Sequence, residues 1–142
     1  MWTHTFSEDT DVPTTHLWTV LADIPRWPEI DEQIESIVVN GEPKRGTKFK
    51  LKPKGGPTLS LVVDRFEAPT TYADVCSMPL AKMRTTHILL SKGDTTEIRV
   101  TIEIFGFLSP LWSRIVGRKH AKGLAAQTTR LVARARRLSV EK

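Results

Sequence analysis

Hydrophobic positions recur every second residue through most of this chain and every third or fourth near its end. Trp2, His4 and Phe6 alternate with Thr3, Thr5 and Ser7, which predicts a strand with one buried face. Asp9, Thr10 and Asp11 stand before Pro13, a helix-start signal, and Leu17, Val20, Leu21 and Ile24 follow at helical spacing. Pro25 ends or bends that helix, and Trp27, Pro28 and Ile30 open a second short helical segment. Strands are predicted next at 34–39, 47–52, around Leu59, Leu61 and Val63, and at 71–77, 82–91 and 96–105. Asn40-Gly41, Gly55-Gly56-Pro57 and Gly93-Asp94 supply turns between them. The clearest strand is the last, where Ile98, Val100, Ile102 and Ile104 alternate with Arg99, Thr101 and Glu103.

The period then changes. Ala121, Leu124, Thr128, Leu131, Ala135 and Leu138 form the stripe of one helix face, within a helical stretch running over 108–140. Arg118, Lys119, Lys122, Arg130, Arg136 and Arg137 make the opposite face basic. Carrying a rotation of about 100° per residue backwards puts Leu111, Trp112 and Ile115 on the wrong side of the stripe. A kink or break near Gly117 follows, with the lead-in packed on different neighbours and able to gate whatever lies beneath. Short turns imply antiparallel neighbours. The expected fold is therefore α+β: one domain over 1–142, a curved antiparallel sheet of about seven strands wrapped around a long C-terminal helix, and two short helices after the first strand.

Composition adds boundaries to that picture. A chain of 142 residues can bury its own core without disulfide or metal. One cysteine, Cys76, forbids an internal disulfide and fits a reducing compartment. The chain carries no apolar run of about 18 residues and no signal-like segment is read at its start, so the expected location is the cytoplasm. Charge is strongly polarised. Residues 1–40 hold eight acids and one base, whereas residues 108–142 hold nine bases and one acid. Either the two ends neutralise each other in space, or the basic end meets an anionic partner. Nucleic acid is disfavoured, because the bases are not interleaved with exposed aromatics.

No phosphate-binding glycine loop, C-x-x-C or H-E-x-x-H motif is present. His4, His16, His87 and His120 are scattered, and neither a metal nor a cofactor is expected.

The segment Leu17-Trp18-Thr19-Val20-Leu21-Ala22-Asp23, followed by Arg26-Trp27-Pro28-Glu29-Ile30, resembles the helix-turn segment of the START-like (SRPBCC) superfamily. Gly46-Thr47-Lys48-Phe49, the strand closing on Gly106 and the lead-in Leu108-Ser109-Pro110-Leu111-Trp112 match as well. Ile30 departs from the pattern, where an aromatic is common. That group includes the birch-pollen allergen, the START lipid-transfer domains and the bacterial polyketide cyclase/dehydrase and lipid-transport proteins. The resemblance covers nearly the whole chain. It implies a helix-grip fold with a cavity between sheet and long helix; it does not imply a reaction.

Residues facing such a cavity are the candidate site. In the strand over 82–91, Met83, Thr85, His87 and Leu89 form the less charged row and are placed inward. The candidate ligand-binding set is Trp27, Phe49, Leu61, Tyr72, Met83, His87, Val100, Ile102, His120, Leu124 and Thr128. His87 and His120 are the candidates for general acid or base, because an imidazole titrates near neutrality. The first expectation is binding or transport of a hydrophobic small molecule such as a lipid, polyketide or aromatic compound. The alternatives are a polyketide cyclase/dehydrase-type enzyme, and a protein- or membrane-surface module using the basic helix, with transient contact to anionic lipid. The chain is expected as a monomer or homodimer.

Overall fold

A computed structural model describes the backbone of residues 1–141 and the side chains through Leu138. Strand β1 (Trp2–Thr10) leads into helix α1 (Thr14–Leu21), and a 3₁₀ segment (Ile24–Glu29) follows. Pro13 caps α1 and Pro25 lies in the first turn of the 3₁₀ segment, so each of these prolines sits where its missing N–H costs little. Six strands come next: β2 (Ile34–Val39), β3 (Lys48–Pro53), β4 (Leu59–Glu67), β5 (Thr71–Met78), β6 (Ala81–Ser91) and β7 (Thr96–Phe105). They form one antiparallel sheet in the order β1-β7-β6-β5-β4-β3-β2. Register shifts in β2 between Ile34 and Ser36 and in β4 between Val63 and Arg65 bend the sheet, which needs curvature to wrap a helix.

Helix α2 (Ser109–Trp112), a π-helical turn (Ser113–Gly117) and helix α3 (Arg118–Glu141) form the C-terminal stretch. Leu124, Thr128, Leu131 and Ala135 are buried where α3 packs on α1, β1 and β7, so the apolar stripe read from the sequence is the packed face. In place of the expected kink or break, the helix runs on without interruption through a π turn that ends at Gly117. A Cβ on Gly117 would come within 2.8 Å of both Ile104 Cδ1 and the Trp2 ring, so the helix touches the sheet there at backbone distance. The expected packing of the lead-in holds only for Trp112, which is half-buried and donates its indole N–H to the Pro79 carbonyl at 2.9 Å. Leu111 and Ile115 stay exposed. The first strand also differs in detail. It runs to Thr10, and His4 is exposed, stacked beside the half-buried Trp2 at 6.1 Å.

The charge polarity is resolved in space. Arg130 pairs with Glu32, Arg134 with Glu29 at 2.9 Å, and Arg136 with Asp11 at 2.8 Å. The acidic N-terminal third thus neutralises the distal half of α3. No helix among the described residues is long and apolar enough to cross a membrane.

Candidate functional site

The inward rows of β5, β6 and β7 meet α3 across the interior. On β6 the parity follows the charge count: Met83, Thr85 and Leu89 are buried, while Arg84 on the other row pairs with Asp64 at 3.3 Å. Phe49, Leu61, Val100, Ile102, Leu124 and Thr128 are buried too, so the candidate set does converge on one interior. Cys76 is a buried filler whose thiol is pushed up to about 11 by desolvation and the Asp74 charge.

Tyr72 is the hub of this interior. It is fully buried. Its ring meets Trp27 edge-on at 5.6 Å, Phe66 at 6.3 Å and His87 at 6.0 Å. Trp27 also meets Phe49 at 5.9 Å and donates its indole N–H to the Leu21 carbonyl at 3.0 Å. It therefore plugs one side of the sheet, as its place after Pro25 suggests, while remaining half-buried.

Polar groups are threaded through this apolar lining. The Tyr72 hydroxyl donates to Asp74 Oδ2 at 2.9 Å. Burial pushes the Asp74 carboxyl up to about 7, with the Tyr72 hydrogen bond opposing the rise. Tyr72 is itself pushed well above its ordinary value by the same desolvation and by the Asp74 charge. Across from them, desolvation and, to a smaller extent, the nearby His120 together lower His87 to about 4. His87 Nδ1 is buried and has no hydrogen-bond partner. His120 is lowered by desolvation and partly restored by the Asp31 carboxylate. Asp31 is in turn held by Gln127 Nε2 at 2.9 Å. His87 and His120 are strongly desolvated and yet keep part of their surface accessible.

The interior is filled by one cluster of buried apolar side chains. Two surface depressions, of ≈ 440 Å³ beside Leu80 and Phe105 and of ≈ 380 Å³ beside Arg45 and Gly46, lie outside it. Among the described residues no three His, Cys, Asp or Glu side chains converge as metal ligands would.

Sequence reading missed Asp74 and the Asp31–Gln127 bridge. The signal for Asp74 was available: it is the only charged residue on β5 and shares a face with Tyr72, two positions away. Asp31 lies in the connection between the 3₁₀ segment and β2, where no periodicity reports direction.

The family model described as "Polyketide cyclase / dehydrase and lipid transport" matches residues 1–136. The chain belongs to this polyketide cyclase/dehydrase and lipid-transport family. Its fold is similar to that of norcoclaurine synthase from Thalictrum flavum, solved with dopamine and hydroxybenzaldehyde, with a TM-score of 0.75 at 15% identity over 99% of this chain and 88% of that one. It is similar also to the Zhui aromatase/cyclase from Streptomyces, with a TM-score of 0.77 at 14% identity over 96% of this chain and 94% of that one. At such identities the likeness establishes the helix-grip fold and no shared chemistry. No curated protein matches the sequence. Family and fold are those of hydrophobic-ligand binding or cyclase-type proteins.

Proposed function

We propose that this protein binds a hydrophobic small molecule carrying at least one oxygen, between the sheet and α3. The observation that carries this reading is the unpartnered, buried Nδ1 of His87, set in an aromatic and aliphatic interior. Leaving a buried polar atom unpaired costs roughly 1–3 kcal/mol, and a core selected only for stability has no use for that cost. A ligand hydroxyl or carbonyl reaching His87 and His120 would satisfy the imidazoles, while its apolar body packs on Trp27, Phe49 and Leu124. Because the interior is filled by side chains, entry requires the helix to move. The π turn ending at Gly117 is the natural place, since such turns are irregular in hydrogen bonding and His120 lies three residues beyond it.

The test is native mass spectrometry of protein purified without added ligand, followed by uptake from a panel of polyketide, fatty acyl and aromatic compounds. A retained or acquired apolar compound is expected, held less well by His87→Phe. No bound mass and no uptake across the panel overturns the reading.

A cyclase-type enzyme is the second reading, and the Tyr72–Asp74 pair favours it. A carboxyl that titrates at about 7 can accept and return a proton at neutral pH. Turnover of a poly-β-ketone would then show a pH limb near 7 that Asp74→Asn removes.

A further inference from the structure

The end of the sheet where β5 and β7 finish carries an apolar cluster that the interior site does not use. Phe107 is 84% exposed, Leu80 66%, Ile115 54% and Leu111 46%. These side chains come from two segments held together by backbone. The Leu108 amide donates to the Leu80 carbonyl at 3.0 Å, and Trp112 is bonded to Pro79. Leu80 sits at a positive φ of 55° in the two-residue turn between β5 and β6. Glycine or asparagine ordinarily fills such a position. Here a leucine is held in a disfavoured conformation with its side chain in water.

The charge around the cluster has one sign. Lys82 borders it on β6, and Arg114, Arg118, Lys119 and Lys122 continue the Leu111–Ile115 side of the helix. Between Glu103 and Glu141 the sequence holds no acid. None of these five bases has a carboxylate partner among the described residues, in contrast to Arg130, Arg134 and Arg136.

We propose that this end of the molecule docks on an anionic lipid bilayer. Phe107, Leu80, Leu111 and Ile115 enter the interface, and the five bases lie at the level of the lipid phosphates. Separate apolar tips ringed by long basic side chains suit a fluid interface, into which tips insert and toward which Lys and Arg can extend. They suit a protein partner less well, because lysine is depleted at protein interfaces. The proposal does not depend on the interior holding a ligand.

Co-sedimentation of the full chain with vesicles tests it. Binding to phosphatidylcholine–phosphatidylserine vesicles at low salt is expected, weakening as salt rises, with little binding to pure phosphatidylcholine. Neutralising one base, as in Lys119→Gln, should weaken binding about fivefold. Phe107→Ser, at a site too exposed to matter for folding, should weaken it roughly tenfold or more. Full binding by Phe107→Ser, equal binding to neutral vesicles, or a dimer in solution that Phe107→Ser dissociates would each overturn the proposal. The dimer would show that a second copy covers the cluster.

Discussion

The two halves of the C-terminal helix read alike in the sequence and do different work. Both are amphipathic and basic. Beyond residue 124, the apolar side is buried at Leu131 and Ala135, and Arg130, Arg134 and Arg136 find acids of the N-terminal third. Before it, Leu111 and Ile115 face water, and Arg114, Arg118, Lys119 and Lys122 have no carboxylate partner among the described residues. The change of regime falls inside α3, between Lys122 and Arg130, beyond the π turn. A basic amphipathic pattern therefore has two physical meanings in one helix: a neutralised clamp and an uncommitted surface. What distinguishes them is the partner, which lies far away in sequence.

Equivalent truncations should break that comparison most visibly. Leu124→Ala removes a fully buried side chain from the helix–sheet contact and should cost about 2–5 kcal/mol. Ile115→Ala removes one already in water and should change stability by about 0.5 kcal/mol or less. Urea denaturation of both variants decides it. Equal losses would mean that Ile115 is covered in solution.

Acid should separate the halves next. His87 and His120 are depressed by folding, so below the ordinary 6.5 the unfolded chain binds more protons than the folded one. Their contribution to stability falls as pH drops from 6.5 to about 4, the value of His87. Asp74 has the opposite sign. Its carboxyl is raised from 3.8 to about 7, so over that window the folded chain binds the extra proton and stability rises as pH drops. In the wild type the two slopes oppose each other. Asp74→Asn should expose the histidine loss on acidification, and His87→Gln should expose the Asp74 gain, both read as urea midpoints from pH 7 to 4. Amide protection should also fall first near His120, in the proximal half, and persist around Leu131. Parallel slopes in the two variants would reject the assignment.

Gly117 sharpens the comparison at the hinge. Gly117→Ala pushes a methyl into Ile104 and Trp2 and should cost about 1–3 kcal/mol. Gly123→Ala, six residues on, meets nothing within 4 Å and should stabilise the helix by up to about 1 kcal/mol. Thermal melts measure both. A neutral Gly117→Ala would mean that the helix already stands off the sheet there.

Much of the fold was legible because its signals are periodic. Ile98, Val100, Ile102 and Ile104 must face one way, and Leu124, Thr128 and Leu131 another, whatever surrounds them. Strand parity on β6 was decided by counting charges, and Met83, Thr85 and Leu89 are buried accordingly. The site was less legible. His87 and Tyr72 were reachable from parity, but the state of Asp74 depends on complete desolvation, a property of every neighbour at once. The exposure of Leu111 and Ile115 was not legible at all. Rotation shows that they leave the stripe; it cannot show that no other element covers them.

The smallest expected effect concerns the ion pairs of the distal half. Arg134 and Glu29 meet at 2.9 Å, with Glu29 half in water, so screening discounts the attraction. Arg134→Ala should cost about 0.2–1 kcal/mol at low salt and less at high salt. Lys122→Ala, in the proximal half, lacks a carboxylate partner among the described residues and should leave stability unchanged at either salt concentration. The informative quantity is the difference between the two variants as salt rises. Arg134→Ala should converge on wild type, whereas Lys122→Ala should start there. A salt-dependent loss on Lys122→Ala would mean that the proximal bases are already paired, which would remove the distinction between the halves and the free charge that the bilayer contact requires.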